Sequence, residues 1–574
     1  MSYFLWIILA YLLFLMGFNF YKSRKIKSQE DFMVAGRSLS LTKMVFTLVC
    51  TWIGSGTFIA GAEYAARAGW SSLWLPAGAW LGIAVIYFLA AKIRTFGQYT
   101  VGDILEVRYG KFARVFGAIA LIIAFTTIVS YQFRAGGYIL NVLTDGGISV
   151  YTGQAIAALF VILFTAIGGM VAVAHTDLPN GIIIVLASCI AVPFTVAAAG
   201  GPGAASIALP AQHFQVFAAD FGAHPALKAG GYFLATFLLL MGIQSMYQKF
   251  YSAKSPAEAK RAVSLWIVGT IVVEVVVVAI AIYAAAIHWS EINAFEIAGT
   301  VKREVAAGTL TPASTADRAM ELASERLAAG NVKPEQIESL RTELGTAFTG
   351  LTTAEAVKNL RVGVDPASVV LQAGRDISRG SFFGLIFGLL LLGAACAVVL
   401  STGMNYLLSP STNIMRDIYQ RFLKPDATQK QMIALQKVFI CILGVCAFLM
   451  IFIPTYFGLQ ISVLRYSYFA YTLYGVAITP ALLAALAWKR ATRAGGVASI
   501  VSGAFMVVLF DLVIPRVMPQ VMQGGDPWGI PSIYPAGLMS IGMLVVVSLL
   551  TPKPRPEDLV KLFPEMATAG KAGK

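Results

Sequence analysis

Long apolar runs recur along this chain, separated by short polar stretches that hold most of its basic residues. About 20 apolar residues span the hydrocarbon core of a bilayer. About thirteen such runs can be drawn, at roughly 3–21, 42–68, 71–94, 113–143, 151–174, 180–199, 229–249, 262–288, 381–411, 433–453, 459–487, 494–515 and 533–551. The pattern predicts an all-α polytopic membrane protein. The first run, "MSYFLWIILAYLLFLMGFNF", has no basic stretch before it and no small-residue cleavage site; its positive charge follows as "YKSRKIK". It reads as a first spanning helix and not as a secretory signal.

The polar connections fall into two alternating sets. One set carries Lys22, Arg24, Lys25, Lys27 and Arg37, then Arg94, Arg108, Lys111 and Arg114, then Lys254, Lys260 and Arg261. It continues with Arg416, Arg421, Lys424 and Lys430, then Lys489, Arg490 and Arg493, then Lys553 and Arg555. The short loops of the other set hold almost no basic residues. Positive loops face the cytoplasm, so the expected topology has the N-terminus outside, the C-terminus cytoplasmic, and the protein multi-pass in the plasma (inner) membrane.

Two connections on the outer side are long. Residues 200–228 are rich in Gly, Ala and Pro, and residues 289–380 contain soluble-helix patterning. In the latter, "STADRAMELASERLAAG" and "KPEQIESLRTELG" each have a helix-start signal and a Gly stop. They predict a small helical insertion at about 290–362. The expected organisation is an N-terminal helix and basic loop (1–41), a first five-helix repeat (42–199), an outer connection (200–228) and a second five-helix repeat (229–487) containing the insertion. Two further helices (488–551) and a tail (552–574) follow.

Composition narrows the function. The chain is 58% hydrophobic and 13% charged, about half the charge of a soluble domain. Its net charge of +14 is explained by loops on anionic lipid, and no nucleic-acid partner is expected. The five cysteines lie in apolar runs without metal-ligand spacing. There is no G-x-x-x-x-G-K-[ST] and no H-E-x-x-H, and no enzyme activity or cofactor is expected. From the short stretch after the last run, no fused kinase or sensor domain is expected.

Two spanning runs are poor continuous helices. "TWIGSGTFIAGAEY" (51–64) carries Gly54, Gly56 and Gly61 with Thr51, Ser55 and Thr57, and "FLLLMGIQSMYQKF" (237–250) carries Gly242, Gln244 and Ser245. Unwound backbone at membrane depth is tolerated only when it is buried in protein or lines a cavity. Each run opens a set of five spans, the arrangement of an inverted repeat whose broken helices hold ion and solute. A third run, "GAACAVVLSTGMNYLLSPSTNIMRDIYQRF" (393–422), places Ser401 and Thr402 mid-helix with Asn405 one turn on. Their hydroxyls either bond back one turn or, with carbonyls of the broken helix, ligate a hard monovalent cation.

The segments "FMVAGRSLS" (32–40), "FTAIGGMVAVAHTDLPNGIII" (164–184), "QKFYSAKSPAEAKRA" (248–262) and "LSTGMNYLLSPSTNIMRDIYQRF" (400–422) resemble the sodium:solute symporter family. The resemblance covers about 3–490 apart from the insertion. It implies a leucine-transporter-like inverted five-plus-five repeat with discontinuous first and sixth core helices, and Na+ as coupling ion. By position, sodium would touch the carbonyls of Cys50, Ile53 and Val398 and the hydroxyls of Ser401 and Thr402. Asp177 matches an acidic residue that assists the cation near the inner exit in relatives; it also suits a cap for the run at 180–199. Gly403 and Met404 stand where some relatives carry Ser or Asp, so a second sodium site is not implied. Sugar-transporting relatives place a Glu-Gln pair where this chain has Gly56 and Thr57, which argues against a sugar.

The expected solute site comprises Ser55, Gly56, Thr57, Gln132, Arg134, Gln244 and Tyr468. Charges in spans are functional candidates. Arg67 and Arg134 suit a carboxylate or amino-acid-like solute through paired hydrogen bonds, or pair internally, for example with Glu63. Glu274 interrupts a Val-rich run. The expected function is sodium-coupled import of a small organic solute by alternating access. The alternatives are a proton-coupled or uncoupled facilitator and a non-transporting sensor.

Overall fold

A computed structural model describes residues 3–24, 26–97, 99–218, 221–222, 224–456, 462–555 and 559–563. Most of the tail 552–574 lies outside the described residues. Among the described residues, twelve helices are long and apolar enough to cross a membrane. One of these stretches, Gly56–Phe96, is 41 residues long and is interrupted at Gly69 (φ 64°, ψ −140°). Taken as two passages, the first completed by the shorter Leu41–Trp52, it brings the crossings to thirteen.

The first helix is α1 (Tyr3–Ser23). The first repeat holds α2 (Leu41–Trp52), a π-turn at Gly56–Gly61 that runs into α3 (Ala62–Ala68), and α4 (Trp74–Phe96). A short α5 (Val101–Tyr109), α6 (Lys111–Leu143) and α7 (Val150–Ala198) complete it. The second repeat begins with α8 (Pro225–Gly242), α9 (Gln244–Ser252) and α10 (Pro256–Ile287). Then come the insertion helices α11 (Trp289–Ala306), α12 (Thr315–Ala328) and α13 (Pro334–Phe348), and α14 (Val369–Gly380). The repeat closes with α15 (Phe382–Asn413), α16 (Gln429–Tyr456) and α17 (Val463–Ala487); α18 (Arg493–Val508) and α19 (Ile533–Leu550) follow as a packed pair.

The two runs expected at 151–174 and 180–199 are one helical stretch, α7, bent at Gly169 (φ 50°, ψ −159°). The polar "HTDLP" junction does not interrupt it. Glycine tolerates that left-handed φ, and the Phe32 ring sits so close that a Cβ there would lie 2.7 Å from it. The second passage therefore starts soon after Gly169, which puts Asp177 inside a helix and removes its capping role.

The insertion has a core of its own, built from Ala294, Ile297, Val301, Ala323, Leu340, Leu344 and Phe348. The helix expected to stop at Gly345 continues to Phe348, whose burial outweighs the weak stop signal. The unit docks on the broken first helix: Arg67 reaches Glu296 at 3.0 Å and Glu63 at 3.4 Å. Arg326 grips the same Glu296 at 2.8 Å. His288 links the start of α11 to α14 through Glu291 (2.6 Å) and Asp376 (2.7 Å). Burial lowers its pKa, but these two carboxylates outweigh that and raise it to about 9. α14, not anticipated from sequence, packs along α15.

Candidate functional site

Both expected helix breaks are present, each at a single extended residue. At the first, Ile53 has φ −72° and ψ 98°. The helical ladder stops there and restarts when the Thr57 and Phe58 amides donate to the Gly54 carbonyl at 2.9 and 3.1 Å. The carbonyls of Cys50 and Ile53 are thus left free of that ladder. Both accept from the Thr402 hydroxyl, at 3.0 and 3.2 Å. Gly54 makes this approach possible, because a Cβ there would lie 2.7 Å from the Thr402 methyl.

At the second break, Ile243 has φ −66° and ψ 119°. Tyr474 stands in for the lost helical bonds: its hydroxyl donates to the Gly242 carbonyl (2.8 Å) and accepts from the Gln244 amide (3.0 Å). Gln244 itself is committed elsewhere, since its side chain accepts from the Val101 amide (2.5 Å) and donates to the Tyr99 carbonyl (3.3 Å).

Around the first break the structure gathers four of the expected cation ligands. Ser401, Thr402, Cys50 and Ile53 are all buried and joined by the bonds above or through Asp177. Val398 is also buried, one turn before Thr402, and helix geometry aims its carbonyl at the Thr402 amide. Asp177 is fully buried; it accepts from Ser401, from Thr47 at 2.5 Å and from the Asn405 amide at 3.4 Å. The other end of Asn405 accepts from Lys249 Nζ, which lies 3.1 Å from Met170 Sδ. Thr47 and Lys249 were not singled out as site residues. Lys249 sits in the quoted "QKFYSAKS", where it resembles one more loop lysine, and only the packing of α9 reveals its burial.

A second group lies beside this one. A small cavity of about 40 Å³ is lined by Trp52, Thr57, Thr236, Glu274 and Tyr471, with Gly56 on its wall. A Cβ at Gly56 would stand 2.5 Å from the Tyr471 hydroxyl, which contacts that of Tyr131 at 3.2 Å. Next to it, the Ser55 amide donates to Gln132 Oε1 at 3.2 Å. Ser55 Oγ and Gln132 Nε2 have no hydrogen-bond partner among the described residues. The volume holds a few waters, far below the few hundred Å³ of a typical ligand cleft. Admission of a solute therefore requires the walls to separate.

Arg134 and Tyr468 are not brought to this cavity. Arg134 lies over the Tyr138 ring, 5.1 Å from its centre. Tyr468 packs edge-on against Tyr232 near Tyr64 and Phe221. A larger concavity of about 720 Å³, on the insertion between Glu338 and Arg361, opens to solvent and touches neither break.

The end of the bundle that carries the basic loops is closed by buried charges. Arg114 bonds Asp417 (2.5 Å), Asp103 (2.7 Å) and Glu106, and Arg421 reaches Glu106 at 2.6 Å. Burial raises the Glu106 pKa, but bonds from Arg114 and Arg421 hold it below the ordinary carboxylate value. The cluster ties α5 and α6 to the segment that follows α15.

The family model for the sodium:solute symporter family matches residues 32–312 and 381–503, skipping most of the insertion. The chain belongs to the sodium:solute symporter family. This symporter carries out sodium-coupled solute import. It is similar to the human high affinity choline transporter 1, 25% identical over 83% of this chain and 70% of that protein. It also resembles the high-affinity proline transporter PutP of Bacillus subtilis, at 23% identity over 86% and 89% of the two chains. The sodium/pantothenate symporter of Escherichia coli is 28% identical over 46% of this chain and 56% of its own length. In fold the symporter matches a Na+-coupled sialic acid symporter in a substrate-bound outward-open state, with TM-score 0.68 and 15% identity over 96% and 98% of the chains. The architecture is the leucine-transporter-like inverted repeat.

Proposed function

We propose that sodium binds where the first broken helix meets α15, on the carbonyls of Cys50, Ile53 and Val398 and the hydroxyls of Ser401 and Thr402. The observation that carries this is the Thr402 hydroxyl lying within 3.2 Å of two carbonyls freed by the helix break. A hydroxyl has one hydrogen and two lone pairs. It donates to a carbonyl when no ion is near and turns its lone pairs to a cation when one arrives. Asp177, bonded to Ser401, supplies the negative charge next to the site and guides the ion toward the basic-loop end.

The solute binds beside the ion, against Ser55, Gly56, Thr57 and Gln132. Sodium on Cys50 and Ile53 fixes the break, and the break positions the solute wall, so occupancy of one site favours the other. Import runs from outside to cytoplasm across the plasma membrane, with the N-terminus outside and the basic loops inside. One positive charge crossing about 100 mV contributes about 2.3 kcal/mol, near fifty-fold accumulation before any sodium gradient is counted. The solute is small and organic, with an amino-acid-like compound favoured over a sugar. The symporter in proteoliposomes should accumulate its solute uphill only with external sodium; equal accumulation with potassium or with a proton gradient alone contradicts the reading.

A further inference from the structure

Glu274 is a buried acid that the cation site does not use. It sits on α10, 4% exposed, in a segment that spans the membrane. Its two oxygens accept from two tryptophans, Trp52 Nε1 at 2.9 Å and Trp80 Nε1 at 2.5 Å. Among the described residues, no Lys, Arg or His forms an ion pair with it. A carboxylate offers about four acceptor positions, and the indoles take two. Two neutral donors orient the group without cancelling its charge, and an uncompensated charge at this depth is costly.

The surroundings specify what completes it. Glu274 lines the same cavity as Trp52, Thr57 and Tyr471, so the acid meets the solute space and not the lipid. Indole and phenol faces attract cations, and carbon-rich ammonium groups most effectively because they shed water readily. Of the two arginines that suited an anionic solute, Arg67 pairs with Glu63 and Glu296, and Arg134 lies over Tyr138 away from this cavity, its Nε and Nη1 without a hydrogen-bond partner among the described residues.

We propose that Glu274 recognises a positively charged nitrogen on the transported solute, held against Trp52 and Tyr471 in the cavity beside the first helix break. The proposal rests on the symport reading above and adds the chemical class of its cargo: an amine or quaternary ammonium, with or without a carboxylate elsewhere. Sodium occupies the neighbouring site, and Glu274 keeps the second positive charge from being repelled.

The test uses the full-length symporter in nanodiscs for binding and in proteoliposomes for uptake. The probes are tetramethylammonium, choline and L-proline, which carry a cationic nitrogen, and pantothenate and glucose, which do not. Trp52 and Trp80, two of the nine tryptophans in the chain, donate to Glu274, so tryptophan fluorescence responds to occupancy. With sodium present, at least one cationic probe should change the fluorescence and, for choline or proline, enter the vesicles, while pantothenate and glucose do neither. Glu274→Gln, which keeps the size of the side chain and removes its charge, should raise that probe's half-saturation about tenfold or more. Glu274→Asp should fall between, and the sodium half-saturation measured without solute should stay within about twofold. Sodium-dependent binding of pantothenate or glucose by the wild-type protein overturns the proposal. So does an unchanged Glu274→Gln response, or silence toward all three cationic probes while sodium alone still alters the fluorescence. A cationic probe that binds through Glu274 equally well without sodium supports the amine site and contradicts the coupling.

Discussion

Gly54→Ala probes the approach of α15 to the helix break, and its effect follows from three distances. The added Cβ would lie 2.7 Å from the Thr402 methyl, 2.9 Å from its hydroxyl oxygen and 3.2 Å from its Cβ. Ordinary contact begins at 3.4 Å, so the methyl must retreat by 0.7 Å. Thr402 can do so by shifting away or by turning about χ1, and both movements take its hydroxyl from the Cys50 and Ile53 carbonyls. Overpacking of this kind costs about 1–3 kcal/mol; the part of it that falls on the sodium-bound arrangement raises the sodium half-saturation, by up to roughly 150-fold. The assay is the sodium dependence of uptake at saturating solute, paired with fluorescence-detected size exclusion to confirm folding. Adding Thr402→Ser removes the methyl at 2.7 Å and keeps the hydroxyl, so the double variant should recover part of the loss. Wild-type sodium dependence in Gly54→Ala, or a double variant no better than the single one, would refute the reasoning.

Lys249→Met should lower the sodium half-saturation at least about threefold and slow turnover, because removal of the buried ammonium leaves Asp177 to hold the ion more tightly; Lys249→Arg should stay near wild type. Uptake kinetics against sodium check this, and a raised half-saturation in Lys249→Met counts against it. The His288 link should fail in alkali. With its folded pKa raised to about 9, its contribution is fully present below about pH 6.5 and is lost as pH rises through 9, at most about 3 kcal/mol. Limited proteolysis of the insertion between pH 6 and 10 should show that loss, and His288→Gln should flatten the profile.

The parts of the molecule legible in the sequence are those set by local chemistry. Apolar run lengths located the spans, and glycines beside hydroxyls at 54–57 and 242–245 located both breaks, because unwound backbone at membrane depth is tolerated only where it is buried in protein or lines a cavity. Ser401 and Thr402 stood out as adjacent hydroxyls in an apolar run. What was missed depends on distant packing. "HTDLP" looked like a loop, yet the bend lies at Gly169, where the Phe32 ring fills the space a side chain would need. Gln244 looked like a solute ligand because it is polar and deep, but α5 claims its amide. Lys249 and Glu274 were visible as charges; only the fold places one beside Asp177 and the other in the cavity. α14 carries a local signal, since Val369, Val370, Ala373, Gly374 and Ile377 repeat at helical spacing on its buried face; it lies beyond the insertion's expected end at 362.

The central claim is that sodium enters through a site closed by Ser401 and Thr402. Its most direct test is ²²Na+ co-uptake with solute into proteoliposomes holding the wild-type symporter or the double variant Ser401→Ala with Thr402→Ala. The wild type should take up ²²Na+ in fixed proportion to solute, and the folded, normally expressed double variant should take up neither above empty vesicles. Wild-type co-uptake in the double variant would contradict the account.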